Sequence, residues 1–276
     1  MGKPTNSRTA VRAVARRALG DRYEEVARWT GEARHRAGWL RSPMRRITRA
    51  YVASYGLTVR RGPFSGLRYP PADVANVTTL VPKLMGSYER ELHVPMERLL
   101  EPRPSIVVNA GCADGYYAVG LARRLPEATV HAFDLEPRWR WICGRLARVN
   151  GVSERVVIGE RLDPAAVEGL SLAGALVVID CDGCEDAIFP VETVAALSRT
   201  AVIIETHDTV VPGVTDRLLD RFRASHEAEV VEAEPRWISE FPELEELTGV
   251  SYVDRELGIT EFRPSQRWLV LTPRRP

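Results

Sequence analysis

The chain has few cysteines, no long apolar run and no excess of either charge, and each lack removes a class of function. Four cysteines in 276 residues, Cys112, Cys143, Cys181 and Cys184, are too few for a disulfide scaffold. A structural zinc ribbon needs two short-spaced Cys/His pairs, and only one Cys-x-x-Cys pair is present. No stretch approaches the roughly 18 consecutive apolar residues of a membrane span. The first 20 residues carry Lys3, Arg8, Arg12, Arg16 and Arg17 without an acid, but they lack the apolar segment of a secretory signal. Asn6 stands where a myristoylation signal has Ser or Thr. Because the preference for Arg over Lys runs through the whole chain, this basic arm is read as a helical N-terminus rather than a targeting segment. A soluble cytoplasmic protein is the expectation. The 38 Lys+Arg and 37 Asp+Glu nearly cancel, so no global field directs the chain to nucleic acid or to a membrane.

What is present falls into three parts, without internal repeats. Residues 1 to about 60 are Arg/Ala-rich with helical spacing, as in Val11, Val14, Ala15, Ala18 and Leu19. Residues 61–103 hold the loop Arg61-Gly62-Pro63-Phe64-Ser65-Gly66 and the Pro70-Pro71 break. A helix is predicted from Ser87, as its cap, toward Leu100. From Ser105 short apolar runs alternate with amphipathic helices, the pattern of an α/β sheet of parallel strands. The predicted strands are 106–110, 129–134, 155–159, 173–180, 201–205, 229–232 and 266–271, with helices over 116–125, 137–149 and 215–225. Between the last two strands lies an insertion, 235–265, with Trp237 near its start and four acids within 240–246. Connections of this size are commonly lids or binding elements. The expected organisation is a helical extension over 1–103, serving as a lid or dimer contact, and an α/β domain over 104–276.

The stretch Asn109-Ala110-Gly111-Cys112-Ala113-Asp114-Gly115 follows a strand and opens a helix. Its glycines allow a tight turn and close approach of a ligand. Asp134 ends the next strand 23 residues after Gly111, about where a carboxylate grips ribose hydroxyls. A dinucleotide fingerprint would have a middle glycine where Ala113 stands and a third one beyond it. Tyr116 and Tyr117 instead crowd the helix start, so a nucleoside without phosphates fits better than NAD.

With these residues in place, the segment VVNAGCADGYYAVGLARRLPEATVHAFDLEP resembles motifs I and II of class I S-adenosylmethionine-dependent methyltransferases. The segments VVIDCDGCEDAIF and AVIIETHD resemble the fourth and fifth strands of the FkbM-like small-molecule group. The likeness covers about 105–232 and the closing strand. It implies a Rossmann-like seven-stranded sheet and S-adenosylmethionine as cofactor. By the same resemblance Gly111, Cys112, Asp114, Gly115 and Tyr116 line the methionine end. Asp134 takes the ribose hydroxyls, Leu135 lies against the adenine, and Gly159, Glu160 and Arg161 reach the adenine side. The chain departs from the family at Asn109, usually an acid that supports the glycine loop, and at Ala113, usually Gly.

Ligands of an open α/β sheet sit at the carboxyl ends of the strands. There the fourth strand delivers Asp180-Cys181-Asp182-Gly183-Cys184-Glu185-Asp186, four carboxylates in seven residues, and the fifth delivers Glu205, Thr206, His207 and Asp208. His207 suits a general base. Asp180, Glu185 and Glu205 are candidates to orient it or to clamp a substrate, and Asp182, Tyr88, Glu89 and Glu91 are candidates for substrate contact. Asp180, Asp182 and Asp208 offer oxygen ligands of the kind magnesium takes. A calcium loop is excluded because its twelfth position is Val191. Cys181 and Cys184 are expected to pack as small apolar residues. The expected activity is O-methylation of a sugar or natural product, with N-methylation of an amine or guanidine as the alternative. A nucleic-acid methyltransferase using Arg45, Arg46 and Arg49 comes after these, and a non-catalytic partner protein is the remaining reading. The apolar positions of the N-terminal helices point to a homodimer or a lid.

Overall fold

The computed structural model describes residues 16–23, 25–26, 30, 42–71, 78–261 and 266–274; Val11, Val14 and Ala15 lie outside them. Seven strands form one sheet: β1 (Ile106–Ala110), β2 (Thr129–Phe133), β3 (Val156–Gly159), β4 (Leu176–Ile179), β5 (Ala201–Thr206), β6 (His226–Glu232) and β7 (Arg267–Pro273). The apolar runs of β1, β4 and β5 are buried almost throughout, as strands covered on both faces must be. The spatial order is β3-β2-β1-β4-β5-β7-β6, with β1 to β5 parallel. This is the Rossmann-like α/β sheet expected, with one difference. β7 runs antiparallel to both of its neighbours. Arg267 at its start pairs with Thr206 and Glu232, the last residues of β5 and β6. The chain therefore leaves β6 at the carboxyl edge, folds its insertion there and re-enters from that edge, without the crossover a parallel strand needs.

Helices among the described residues include α1 (Arg45–Tyr55), α2 (Leu80–Met85), α3 (His93–Leu100), α4 (Tyr116–Arg124), α5 (Pro137–Val149), α6 (Pro164–Gly169), α7 (Glu185–Ile188), α8 (Val191–Ala196), α9 (Val214–Phe222), α10 (Pro242–Glu245) and α11 (Tyr252–Ile259). One face of the sheet is covered by α6, α8 and α9 through Val167, Val194, Leu197, Leu218 and Phe222. The other carries α4 and α5 together with the N-terminal segment and the insertion, whose Ile47, Tyr51, Leu84, Met96, Leu244 and Ile259 belong to one core. Of these, α1 finds its apolar partner within the chain: a Cβ on Gly258 of α11 would stand 3.0 Å from Ile47 Cγ1.

The helix expected from Ser87 is interrupted. The Ser87 hydroxyl donates to the carbonyl of Pro82, closing the turn after α2 rather than capping a new helix. Glu89 then adopts φ +47°, a left-handed conformation no helix can contain, and α3 starts only at His93. Likewise 173–175 form a turn through Gly174 (φ +78°), so β4 starts later than its apolar run.

The order reverses between β1 and β4, which leaves a crevice above their carboxyl ends. At that point Gly111 has φ +76°, and a Cβ there would lie 1.5 Å from the carbonyl oxygen of Asp180. Gly111→Ala should therefore lower stability by about 3 kcal/mol or more, seen as a fall in Tm of about 5–10 °C. An unchanged Tm would mean the loop does not rest against β4.

Candidate active site

The crevice is built from two strand exits tied together by backbone. Asp180 N–H donates to the carbonyl of Ala110 at 2.9 Å, while the N–H groups of Gly111 and Cys112 both donate to the carbonyl of Phe133 at 2.9 Å. The loop 111–115 is thus fixed to the ends of both β4 and β2. Its conformation is left-handed at Gly111, Ala113 and Gly115.

Asp134 closes the loop from the far side. Its Oδ2 accepts Ala113 N–H at 3.0 Å and its Oδ1 accepts Glu136 N–H at 2.8 Å. Burial raises its pKa to about 6, against the opposing pull of those two N–H groups. Leu135 beside it is 45% exposed, a large apolar side chain open at the strand end. Glu160 is engaged by Arg16 through both carboxylate oxygens, and Arg161 is exposed. Beneath the loop Asn109 is buried; its Nδ2 donates to the carbonyl of Val178 at 3.2 Å, and its Oδ1 has no partner among the described residues. Cys112 is buried against Cys143, and that contact together with burial holds its thiol well above the usual pKa.

Asp114 and Tyr116 point inward. The Asp114 carboxylate accepts from Lys83 Nζ at 2.9 and 3.1 Å, with the two side chains 0% and 4% exposed. The rings of Tyr88 and Tyr116 stand 4.8 and 5.4 Å from the same ammonium. Lys83 was not singled out from the sequence. Its signal was its rarity: it is one of two lysines in a chain with 38 basic residues. A compact ammonium fits an aromatic-walled carboxylate that a planar guanidinium would overfill.

His207 is the centre of the second half. Its Nδ1 lies 2.7 Å from Glu185 Oε1, and its Nε2 lies 3.6 Å from Asp182, 3.9 Å from Asp180 and 3.9 Å from Glu205. Burial alone would lower its pKa; the hydrogen bond and charge of Glu185, with Asp180 and Asp182, outweigh burial and raise it. Glu185 and Glu205 are fully buried, whereas Asp182 is 97% exposed at the opening. Glu185 Oε1 also accepts Gly183 N–H at 3.1 Å.

Two expectations are corrected here. The oxygen set Asp180, Asp182 and Asp208 does not assemble, because Asp208 accepts instead from the hydroxyl and N–H of Thr215 at the start of α9. The carboxylates that gather are Asp180 and Glu205, within 4.8 Å of one another and of His207. That group offers two carboxylates and one imidazole to a metal ion, a mixed donor set rather than the three carboxylates expected. Further, Cys181 and Cys184 are joined as a disulfide with Cα atoms 5.5 Å apart, inside the bridging range.

Tyr88 and Glu89 are buried behind the loop 111–115 rather than open to a substrate. The Tyr117 hydroxyl donates to Glu89. Nearby, Arg236 pairs with Glu91 at 2.6 Å and Glu261 at 2.9 Å and donates to the carbonyl of Ser87, stapling the insertion to the N-terminal segment. Burial, with the charges of Glu89 and Glu91, raises the Glu261 pKa to about 7 in spite of Arg236.

No protein-family model and no curated protein matches the chain. Among solved structures, the chain is similar to an rRNA methylase from Streptococcus thermophilus, at 14% identity over 67% of this chain and 97% of that one, with a TM-score of 0.47. It is similar to a SAM-dependent O-methyltransferase from Thermotoga maritima, at 16% identity over 66% and 65% of the two chains, with a TM-score of 0.44. A precorrin 8w decarboxylase from Methanobacterium thermoautotrophicum gives 16% identity, 65% and 88% coverage and a TM-score of 0.44.

Removing the cation under the loop should be costly. Lys83→Met leaves the Asp114 carboxylate buried and unpaired, and chemical denaturation should find about 3–5 kcal/mol less stability. Adding Asp114→Leu should restore much of that loss; equal losses in the single and double variants would show that the pair is not what holds the segment.

Proposed function

We propose that the protein is an S-adenosylmethionine-dependent methyltransferase that methylates a hydroxyl of a small molecule. The observation that carries this reading is Asp134, held at the end of β2 and bonded to the loop 111–115 at the point where the strand order reverses. A nucleoside fits there: Asp134 offers an acceptor to ribose hydroxyls and Leu135 an apolar face to adenine. The crowding expected of Tyr116 and Tyr117 does not contribute, because both rings pack into the core against Phe64, Tyr88 and Trp268. Glu160 and Arg161 follow β3 on the adenine side, and the backbone of 111–115 is left for the methionine end. When bound, S-adenosylmethionine supplies a methyl group on a positively charged sulfur.

The protein's own part is to position the acceptor and take its proton. Glu185, buried and itself held by Gly183 N–H, accepts from His207 Nδ1 and so fixes the ring. Nε2 is then the basic atom and faces the opening, where an acceptor hydroxyl would donate its proton. Asp180, Asp182 and Glu205 surround that atom and offer acceptors to neighbouring hydroxyls.

N-methylation of a cationic amine or guanidine is the second reading. Four carboxylates within 3.9 Å of one imidazole support it, since they leave negative charge even around an imidazolium. The same charge would repel a phosphate backbone, which counts against nucleic acid as the acceptor. The proposal also includes a cytoplasmic homodimer, for which Trp237, Tyr252 and Val253 are exposed apolar residues. Among the described residues no helix is long and apolar enough to cross a membrane.

Calorimetry should detect S-adenosylmethionine binding that tightens from pH 5 to pH 7, as the Asp134 carboxyl ionises near 6. Asp134→Ala should weaken it about tenfold or more, the worth of hydrogen bonds to a charged group. Absence of binding to the native protein would leave the non-catalytic reading. Separately, His207→Ala should lower kcat by about 100-fold or more with cofactor binding kept. Because the neutral ring is the active form, the rate should rise with pH through an apparent pKa above 6.5, and Glu185→Gln should move that midpoint down. A rate independent of pH and of His207 would remove the base.

A further inference from the structure

We infer that Cys181 and Cys184 are a redox-active pair, a site of reversible thiol–disulfide exchange through which a dithiol switches the alignment of His207 and Glu185. The site is an assignment beyond methyl transfer; only its catalytic consequence rests on the function proposed above.

The disulfide closes a ring of four residues at the open face of the crevice. So short a loop removes little chain entropy, which makes the bond a poor staple. Both cysteines are half-buried at the surface of their core, whereas Cys112 and Cys143 are fully buried, so a soluble thiol can reach the first pair and not the second. Inside the ring Asp182 is held at φ +53° and Gly183 at φ +104°. The first is uncommon for a residue with a Cβ, although Asp adopts it more readily than most, and closure of the ring helps to hold it.

Three contacts of that ring lead to the base. Gly183 N–H donates to Glu185 Oε1, the same oxygen that holds His207 Nδ1, and Asp182 Oδ1 stands 3.6 Å from His207 Nε2. Cys181 Sγ lies 3.7 Å from Glu185 Oε1. As a disulfide sulfur it has no hydrogen to give. Once reduced it carries an S–H, which adds a third donor on the oxygen that orients His207.

The exchange balances without any group beyond the couple. A dithiol thiolate attacks one sulfur of Cys181–Cys184, the S–S bond breaks, and a mixed disulfide forms. The second thiol of the reductant displaces it, so two electrons and two protons pass to Cys181 and Cys184 while the reductant leaves as its own disulfide. The oxidised form of the same couple reverses the step.

The test uses the full chain equilibrated with reduced and oxidised dithiothreitol in varied ratio. Alkylation and peptide mass should show Cys181 and Cys184 converting together while Cys112 and Cys143 stay protected. Hydrogen exchange at the Gly183 amide should speed up in the reduced protein, a readout independent of activity. Methyl transfer should fall by about 10- to 100-fold on reduction, the scale of a misplaced catalytic group, and recover on reoxidation. The Cys181→Ser/Cys184→Ser protein should show one rate in both buffers. Two free thiols at 181 and 184 in air-oxidised native protein would overturn the proposal. So would clean reduction with unchanged Gly183 exchange and turnover. If neither state binds S-adenosylmethionine, the methyltransferase reading fails, while masses and Gly183 exchange still decide the redox pair.

Discussion

Where the backbone of Gly111 lies against the carbonyl of Asp180, the two halves of the crevice become one object. A side chain at position 111 would occupy the space of that oxygen, and the Asp180 N–H is already committed to Ala110. The loop that carries Asp134's partner Ala113 and the strand exit that carries Asp180 therefore cannot move independently. Distances between the Asp134 carboxylate and the imidazole are set by backbone hydrogen bonds rather than by long side chains. The displacement proposed above would need such rigidity, since near-attack geometry is lost over about 1 Å. Lys83 extends the same constraint outward. By neutralising Asp114 from α2, it ties the N-terminal segment to the underside of the loop, so the packing of α2 bears on the site without touching it.

The parts of this arrangement that were legible in the sequence are those written locally. Ile106–Ala110 and Pro137–Val149 are found at their predicted bounds, because an apolar run ending in Gly and a Pro at the first helical turn are short-range signals. Strand direction is not such a signal: the apolar run of β7 reads the same upward or downward, and only its return from the insertion decides. Nor is partnership between distant residues. Lys83 and Asp114 are 31 positions apart, and Arg236 is 145 from Glu91. His207 and Glu185 were both visible as strand-end residues, yet that they share a hydrogen bond, and that Asp208 turns to Thr215, depends on where the chain goes after each strand. For the cysteines, composition argued against a disulfide while spacing permitted one; the turn at Asp182 and Gly183 brings the sulfurs together.

The electrostatics of the carboxyl edge follow from this layout. Asp134 is raised by burial, a penalty on its own charge, whereas His207 is raised by its neighbours' charge in spite of burial. These opposite causes respond oppositely to a ligand. A positive charge brought to the crevice favours the ionised form of Asp134 and disfavours the imidazolium of His207. Each change moves its group toward the form the proposed chemistry needs, an accepting carboxylate and a neutral base. For the proposed chemistry, an edge with four carboxylates around one histidine is thus poorly poised when empty of positive charge and better poised with a cation in place. In the proposed chemistry the acidity of this turn tunes the base: it favours the imidazolium of His207, and an arriving positive charge opposes it.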